Sequence, residues 1–394
     1  MGSKIYSYGR QTIEQDDIEA VAEVLKGKRL TQGQTVSDFE KALSEKFGSA
    51  FCTALSSGTA ALHLAALSLG WQKGDIVITT PITFLASANC ILYAGATPDF
   101  VDINENSYTL DVEKLEQKIS LYKKKGKKIK AVVAVDYAGH PCDWKALRQL
   151  ADKYGFQLVN DNCHALGAEI DDDIAYAAKY ADLAVASFHP VKPITTGEGG
   201  AVLTNDNKID EKIKLLRTHG IMKESSRFKV QSSKLSGPWY YEMQELGFNY
   251  RITDFQCALG ISQLKKLDSF IQRRREIAAF YDEQFATDDR FIIPAVKNGI
   301  KHSYHLYPLQ IKFDMIGLDK TEYFSRLKTN RIIAQVHYIP IHFQPYYQKR
   351  FGFRRDNFPV AERFYKREVS IPIYPLLEQE DLNYIVKTLK LCLE

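Results

Sequence analysis

The sequence predicts an α/β fold, and two observations lead to this prediction. First, short apolar runs typical of buried strands recur along the chain with helical patterns between them, and four of these runs lie at residues 76–79, 131–135, 183–186 and 201–204. Second, another such run ends on an acid, Asp161. Ligands of parallel α/β sheets bind beyond the carboxyl ends of the strands, so we expect a functional site at that edge.

The last third of the chain predicts a smaller α+β domain. A helical pattern over residues 254–267 precedes two strand-like segments at 304–311 and 332–338. The 394 residues are enough for one large and one smaller domain. We therefore expect a large domain over residues 1–250 and a small C-terminal domain over residues 251–394.

Composition and charge exclude several classes of protein. The chain is 45% hydrophobic and 25% charged, which is ordinary for a globular protein, and its net charge of +4 is too small to indicate a nucleic-acid partner. A basic run at residues 123–130 is typical of a solvated turn, with an anion-binding patch as the alternative. No segment reaches 18 apolar residues, so we expect no membrane span.

The cysteines and histidines indicate neither disulfides nor a metal. Six scattered cysteines form no C-x-x-C motif, a pattern that fits reduced thiols in a cytoplasmic protein. The pairs His302/His305 and His337/His342 have no carboxylate or cysteine at ligand spacing. We therefore predict no metal site.

One lysine stands in an unusual turn. Lys192 lies between two prolines and precedes the glycine-rich stretch 197–200, where the backbone must bend tightly or let a ligand approach closely. One interpretation is a surface turn with an ordinary lysine. The other is a lysine that forms a Schiff base with pyridoxal phosphate, which requires an amine that is desolvated or close to positive charge.

Three further motifs each allow two interpretations. Small residues around Gly58 and Thr59 lead into an Ala/Leu-rich helix, whose start can bind phosphate or can simply be capped. Phe84 can stack on a ligand ring or pack in the core. Asp161 can pair with a protonated pyridine nitrogen, or it can cap the next helix.

Taken together, these motifs resemble a known family. Ser57-Gly58-Thr59, Thr83-Phe84, Asp161 with His164, and the stretch from Ser187 through Lys192 to Gly200 occur in the order found in the sugar aminotransferases of the DegT/DnrJ/EryC1/StrS family. The resemblance extends over residues 11–374 and includes the segments 30–33, 249–251 and 338–342. Within the family, segments 187–196 and 335–338 most resemble the members that aminate C4 of a UDP-sugar in pseudaminic acid biosynthesis.

The resemblance implies a fold, a cofactor and a set of site residues. The fold is the type I fold of transferases that depend on pyridoxal phosphate, with a mixed, mostly parallel seven-stranded sheet between helices. The resemblance also implies a homodimer with active sites at the interface, each cofactor being held in the large domain. The implied catalytic residue is Lys192; the implied cofactor contacts are Gly58, Thr59, Phe84, Asp161, His164, Ser187, Lys192 and Asn249, the last from the partner subunit; and the implied nucleotide-sugar contacts are Tyr8, Lys28, Arg29, Thr31, His337 and Tyr338. Many family members have Gln at the position of His164.

The implied reaction is the transfer of an amino group from L-glutamate to C4 of a UDP-4-keto-6-deoxy-N-acetylhexosamine. Its products are 2-oxoglutarate and UDP-4-amino-4,6-dideoxy-N-acetyl-β-L-altrosamine. One alternative is an aminotransferase for another keto sugar, such as the D-xylo isomer, a 3-keto sugar or a dTDP-sugar. Another is a non-enzymatic binding protein that uses the basic run at residues 123–130 on an anionic surface.

Overall fold

The computed structural model describes residues 4–223 and 239–394, which fold into short strands and α-helices. The strands are β1 (Tyr6–Ser7), β2 (Phe51–Leu55), β3 (Ile76–Thr79), β4 (Thr97–Phe100), β5 (Ala131–Val135), β6 (Gln157–Asp161), β7 (Glu169–Ile170), β8 (Leu183–Ser187), β9 (Gly200–Thr204), β10 (Ile221–Met222), β11 (Glu242–Met243), β12 (Phe291–Ile292), β13 (Ile300–Lys301), β14 (Tyr307–Ile311), β15 (Ile332–Ile333) and β16 (Glu368–Ile371). The α-helices are α1 (Gln15–Lys26), α2 (Gln34–Phe47), α3 (Gly58–Ser68), α4 (Leu85–Tyr93), α5 (Val112–Lys124), α6 (Trp144–Tyr154), α7 (Tyr176–Tyr180), α8 (Asn207–Arg217), α9 (Asp254–Leu264), α10 (Leu267–Phe285), α11 (Phe313–Ile316), α12 (Lys320–Thr329), α13 (Pro345–Phe351), α14 (Pro359–Arg367) and α15 (Gln379–Leu391). Two short 3₁₀ turns lie at Tyr137–Gly139 and Ile341–Phe343.

A seven-stranded sheet forms the centre of the fold. Its strands follow the order β2–β9–β8–β6–β5–β3–β4. Strands β4, β3, β5, β6 and β8 pair in parallel, whereas β9 pairs antiparallel with both of its neighbours. The α/β fold class and the mixed, mostly parallel seven-stranded sheet are therefore confirmed.

The sheet is buried on both faces, which explains why its strands are continuous apolar runs. Successive side chains of a strand point to opposite faces, and in β5 Val132 and Ala134 enter one core while Ala131 and Val133 enter the other. Helices α2, α5, α6 and α9 cover the first face, and α3, α4 and α8 cover the second. Among the described residues, none of the helices is both long and apolar enough for a membrane span.

The C-terminal part of the chain builds a separate apolar core. This core surrounds the antiparallel sheet β12–β14–β16 and is packed by α10, α12 and α15. The first strand of the chain also contributes to it, because β1 pairs in parallel with β15 and Tyr6 is buried there. The division of the chain at residue 250 stays a prediction.

Two predicted strands in this part are shorter than expected. The first begins at Tyr307 rather than at residue 304, and the second covers only Ile332–Ile333 of the predicted 332–338. Beyond β15, Gln335 makes one backbone bridge to Ser370 of β16. The next two amides bond to side chains, since Val336 N–H donates to Gln335 Oε1 at 2.9 Å and His337 N–H donates to Glu368 Oε2 at 3.0 Å. The segment therefore leaves the ladder and crosses the carboxyl edge of the large sheet.

Candidate active site

A cavity of about 580 Å³ lies at the carboxyl edge of the parallel strands. We call it the Lys192 pocket. Its walls come from strand ends, helix starts and the segment after β15, and most of the predicted site residues line it: Tyr8, Gly58, Thr59, Phe84, Asp161, His164, Ser187, Lys192, His337 and Tyr338. Segments up to 330 residues apart in the sequence thus meet in one place.

Lys192 is held by a tightly hydrogen-bonded turn between β8 and β9. Within this turn Lys192 N–H donates to the carbonyl of His189 at 2.9 Å, and Phe188 and Thr196 are bonded through their backbones at 3.0 Å. Burial lowers the pKa of the Lys192 ammonium, and the negative charges that Cys163 and Asp161 can carry oppose the shift. A lysine with a lowered pKa is more readily deprotonated and can then act as a nucleophile.

His305 is a neighbour of Lys192 that no sequence motif assigned to the site. Its Nε2 lies 3.5 Å from Lys192 Nζ, and its buried Nδ1 has no partner among the described residues. Burial first, and then the charge of Lys192, hold the pKa of His305 well below its ordinary value. A neutral imidazole at this position can accept a hydrogen bond from the lysine amine.

Asp161 ends β6 and is almost fully buried. Ser87 Oγ donates to Asp161 Oδ2 at 2.6 Å, and Cys163 N–H donates to Oδ1 at 3.3 Å. Because Ser87 donates its only hydroxyl hydrogen to Asp161, it accepts from Thr83 Oγ1, which lies 2.7 Å away. These bonds fix the carboxylate and leave it with lone pairs for a cation in the pocket.

The start of α3 forms a second polar wall of the pocket. Ser57 caps the helix by accepting from Ala60 N–H at 3.1 Å, and the amides of Gly58 and Thr59 lie in the first turn, where no intrahelical acceptor is available. A Cβ on Gly58 would lie 2.9 Å from Ser187 Cβ, so only glycine lets this turn approach the end of β8 so closely. Free amides, the positive end of a helix dipole and nearby hydroxyls together suit an anion.

His164 and Tyr338 form a hydrogen-bonded pair on another side of the pocket. Ala138 N–H donates to His164 Nδ1 at 3.2 Å, so the proton of the neutral ring is on Nε2, which lies 3.0 Å from the Tyr338 hydroxyl. Burial, followed by the charge of Lys192, keeps the pKa of His164 well below its ordinary value. The Tyr338 oxygen accepts from His164, and its own hydrogen is free to donate into the pocket.

Aromatic rings line the open side of the pocket. The rings of Tyr8 and His337 have centroids 4.8 Å apart, and those of Phe84 and Tyr338 are 5.9 Å apart. Phe84 is 55% exposed, so a planar ligand in the pocket can reach its ring.

The other predicted site residues lie outside this pocket. Lys28, Arg29 and Thr31 are exposed on the segment between α1 and α2, where Thr31 forms a β-bridge with Thr253. Asn249 is also exposed and bridges Thr218. Their roles stay predictions. Over residues 4–223 and 239–394, no group of three or more His, Cys, Asp or Glu side chains is arranged to hold a metal ion.

Comparison with known proteins identifies the family of this chain. Residues 11–390 match the DegT/DnrJ/EryC1/StrS aminotransferase family, so the chain belongs to that family and the predicted resemblance is confirmed. It is 41% identical over 389 residues to a Campylobacter jejuni protein named UDP-4-amino-4,6-dideoxy-N-acetyl-beta-L-altrosamine transaminase, covering 98% of this chain and 97% of the relative.

Two solved structures extend the comparison. The chain is 35% identical to PseC of Helicobacter pylori, an aminotransferase described as involved in the biosynthesis of pseudoaminic acid, with a TM-score of 0.89 and 99% of both chains covered. It also resembles a putative sugar aminotransferase, Spr1654 of Streptococcus pneumoniae, described in its PLP form, with 28% identity, a TM-score of 0.86 and 99% of both chains covered.

Proposed function

We propose that this chain is a pyridoxal phosphate-dependent aminotransferase that moves the amino group of L-glutamate to C4 of a UDP-4-keto-6-deoxy-N-acetylhexosamine. The products are 2-oxoglutarate and UDP-4-amino-4,6-dideoxy-N-acetyl-β-L-altrosamine, a precursor of pseudaminic acid. The observation that carries the proposal is the meeting of Lys192, Asp161 and the start of α3 in one pocket. The name of the Campylobacter jejuni relative supports this choice of sugar.

Besides Lys192, the pocket fits pyridoxal phosphate at two points. The amides of Gly58 and Thr59, with the Ser187 hydroxyl, would hold the phosphate. The Asp161 carboxylate, fixed by Ser87, would hold the protonated ring nitrogen. When bound, the cofactor supplies an electron sink for the carbon that loses or gains the amino group.

Lys192 has two tasks in the proposed reaction. Its neutral amine would hold the cofactor covalently, and the same Nζ, once freed by an amino substrate, would be placed to accept and return a proton at the substrate carbon. A neutral His305, whose Nε2 lies 3.5 Å from Nζ, would accept a hydrogen bond from this amine. Burial in the pocket lowers the pKa of Nζ and so favours the neutral amine that this task needs.

The proposed enzyme is a cytoplasmic homodimer with shared active sites. Asn249 is exposed and lies outside its own chain's Lys192 pocket, which supports a contact between the partner's Asn249 and the cofactor. Tyr8, His337 and Tyr338 would contact the sugar, and the exposed segment with Lys28, Arg29 and Thr31 would contact the nucleotide. The six cysteines are free, which supports a reducing compartment.

The test offers the purified protein both 4-keto isomers, L-arabino and D-xylo, with L-glutamate. We expect amination of the L-arabino isomer and formation of 2-oxoglutarate. Lys192→Ala should abolish turnover and the absorption of the lysine-bound cofactor. The control Lys128→Ala removes an exposed lysine of the basic run and should change neither.

Three results would overturn parts of the proposal. Preference for the D-xylo isomer would reassign the sugar, and turnover by Lys192→Ala would remove the lysine from the chemistry. A native protein that is colourless with added cofactor and binds anionic surfaces through the basic run would be a binding protein and not an enzyme.

A further inference from the structure

His337 is joined to a buried carboxylate through one hydroxyl. His337 Nδ1 lies 2.8 Å from Ser370 Oγ, and Ser370 Oγ donates to Glu368 Oε1 at 2.5 Å. The other carboxylate oxygen, Oε2, accepts from the backbone N–H of His337 at 3.0 Å. Glu368 and Ser370 are fully buried in β16, and neither lines the Lys192 pocket.

The directions of these bonds fix the tautomer of the His337 ring. Burial lowers the pKa of His337 to about 3, so the ring is neutral and carries one proton. Ser370 has one hydroxyl hydrogen and gives it to Glu368, so its oxygen can only accept from the ring. The proton of His337 is therefore on Nδ1, and Nε2 has a free lone pair.

The free nitrogen faces the Lys192 pocket. His337 lines this pocket, and Nε2 is on the edge of the ring away from Ser370. Nε2 makes no hydrogen bond with any residue in the described ranges, and it is not among the enclosed polar atoms that lack a partner. It is thus an acceptor presented to the pocket.

We propose that Glu368, acting through Ser370, is a positioning residue that holds His337 as a hydrogen-bond acceptor for a donor group of the sugar substrate, a hydroxyl or an amide N–H. The inference rests on the proposed function, since it concerns how the same site binds the keto sugar. It adds two residues behind the pocket that touch neither sugar nor cofactor. By fixing the tautomer of His337, they determine whether its Nε2 accepts or donates a hydrogen bond.

The surroundings of Glu368 decide when it is ionised. Burial raises the pKa of Glu368 to about 7, and the Lys320 ammonium, the Ser370 hydroxyl and the His337 N–H oppose the shift. The phenols of Tyr108 and Tyr137 are close enough for their pKa values to be raised in part by the Glu368 charge. Above a pH of about 7 the Glu368 carboxylate accepts hydrogen bonds from both the Ser370 hydroxyl and the His337 N–H. The chain of hydrogen bonds from the His337 ring through Ser370 requires this ionised form.

Replacement of Glu368 by glutamine should invert the chain of donors. The backbone N–H of His337 can only donate, so it takes the single carbonyl oxygen of the new amide. The amide NH₂ then faces Ser370 Oγ and donates to it, and Ser370 turns its own hydrogen towards His337 Nδ1. The proton of the ring moves to Nε2, and the acceptor in the pocket becomes a donor.

The experiment compares Glu368→Gln with Glu362→Gln at a pH of about 8.5. Glu362 is the matched control because it is also buried and accepts from a histidine, His342 Nε2 at 3.0 Å, outside the pocket. In the control the amide carbonyl can accept in place of the carboxylate, so no inversion is required. We expect Glu368→Gln to raise the KM for the keto sugar roughly 10-fold or more, whereas Glu362→Gln leaves it unchanged.

A spectroscopic measurement determines the tautomer of His337 without relying on enzyme activity. The nine histidines are labelled with ¹⁵N, and His337→Gln assigns the signals of His337 in the cofactor-free protein. Native protein should show a protonated Nδ1 and a bare Nε2, and Glu368→Gln should show the reverse. An unchanged tautomer in Glu368→Gln would overturn the inference.

The two half-reactions separate this inference from the proposed function. In Glu368→Gln, conversion of glutamate to 2-oxoglutarate should keep the native rate, which also shows that the variant is folded and binds the cofactor. In a Ser370→Ala background, Glu368→Gln should change the KM for the sugar less than twofold, because Glu368 is then no longer hydrogen-bonded to His337 Nδ1 through Ser370. If the glutamate and sugar half-reactions decline equally in Glu368→Gln, the positioning role is overturned. If the native protein aminates no UDP-sugar, the proposed function is overturned.

Discussion

Gly58→Ala tests whether the start of α3 holds the phosphate. The added Cβ would lie 2.9 Å from Ser187 Cβ and 3.2 Å from Ser187 Oγ. Carbon atoms in contact prefer about 3.5–4.0 Å, so either the helix start or the end of β8 must move by roughly 0.6–1 Å. Such overpacking costs about 1–3 kcal/mol of stability.

The displacement should weaken cofactor binding more than it weakens the fold. A shift of this size removes at least one hydrogen bond to a charged phosphate, which is worth about 1.5–3 kcal/mol. The Kd for pyridoxal phosphate should therefore rise roughly 10- to 100-fold. Fluorescence titration of the cofactor-free protein measures the Kd, and urea unfolding measures stability.

Gly70→Ala is the matched control at the other end of the same helix. Gly70 has φ +69° and no atom within 4 Å of a built Cβ, so alanine there strains the backbone without a clash. Its cost of roughly 1–2 kcal/mol should lower stability and leave the Kd for the cofactor unchanged. Equal cofactor affinity in Gly58→Ala and Gly70→Ala would refute the assignment of the phosphate to this helix start.

Three further predictions concern the polar groups of the pocket. Ser87→Ala removes the hydroxyl that donates to Asp161 at 2.6 Å, so the Kd for the cofactor should rise roughly 10-fold or more in the same titration. An unchanged Kd would mean that Asp161 binds the cofactor equally well without the Ser87 hydrogen bond. Tyr338→Phe leaves the Nε2–H of His164 buried without its acceptor, so the free energy of unfolding in urea should fall by about 1–3 kcal/mol. A variant as stable as the native protein would argue against the His164–Tyr338 hydrogen bond. Burial raises the pKa of Glu368 to about 7, so protonation of this carboxylate below that pH should have the same effect as Glu368→Gln. The KM of the native protein for the keto sugar should therefore rise as the pH falls from about 8.5 to about 6. A similar rise in Glu368→Gln would assign the effect to another group.

His164 shows how a departure from the family pattern acquires a physical role. The resemblance implied that this residue, which is Gln in many family members, contacts the cofactor. Its two nitrogens bond to Ala138 N–H and the Tyr338 hydroxyl. The ring therefore fixes the Tyr338 oxygen, whose own hydrogen is free to donate into the pocket.

The sequence alone determined the elements that are local in the chain. A continuous apolar run predicts a strand buried on both faces, and the residue that ends it must lie at the carboxyl edge of a parallel sheet. This reasoning placed Asp161 at that edge, and local patterns predicted a turn between two strands around Lys192 and a helix start around Gly58. All three line the same pocket. Their local geometry and their chemistry are both encoded within a few neighbouring residues.

Only the tertiary structure decided which distant residues support these groups. His305 lies 113 positions from Lys192, Ser87 lies 74 positions from Asp161, and Glu368 lies 31 positions from His337. Periodicity predicts that such side chains are buried, but it carries no information about which polar atom each one meets. Pairing across elements depends on how helices and strands pack in three dimensions, and this packing sets the tautomer, the charge and the direction of every group in the pocket.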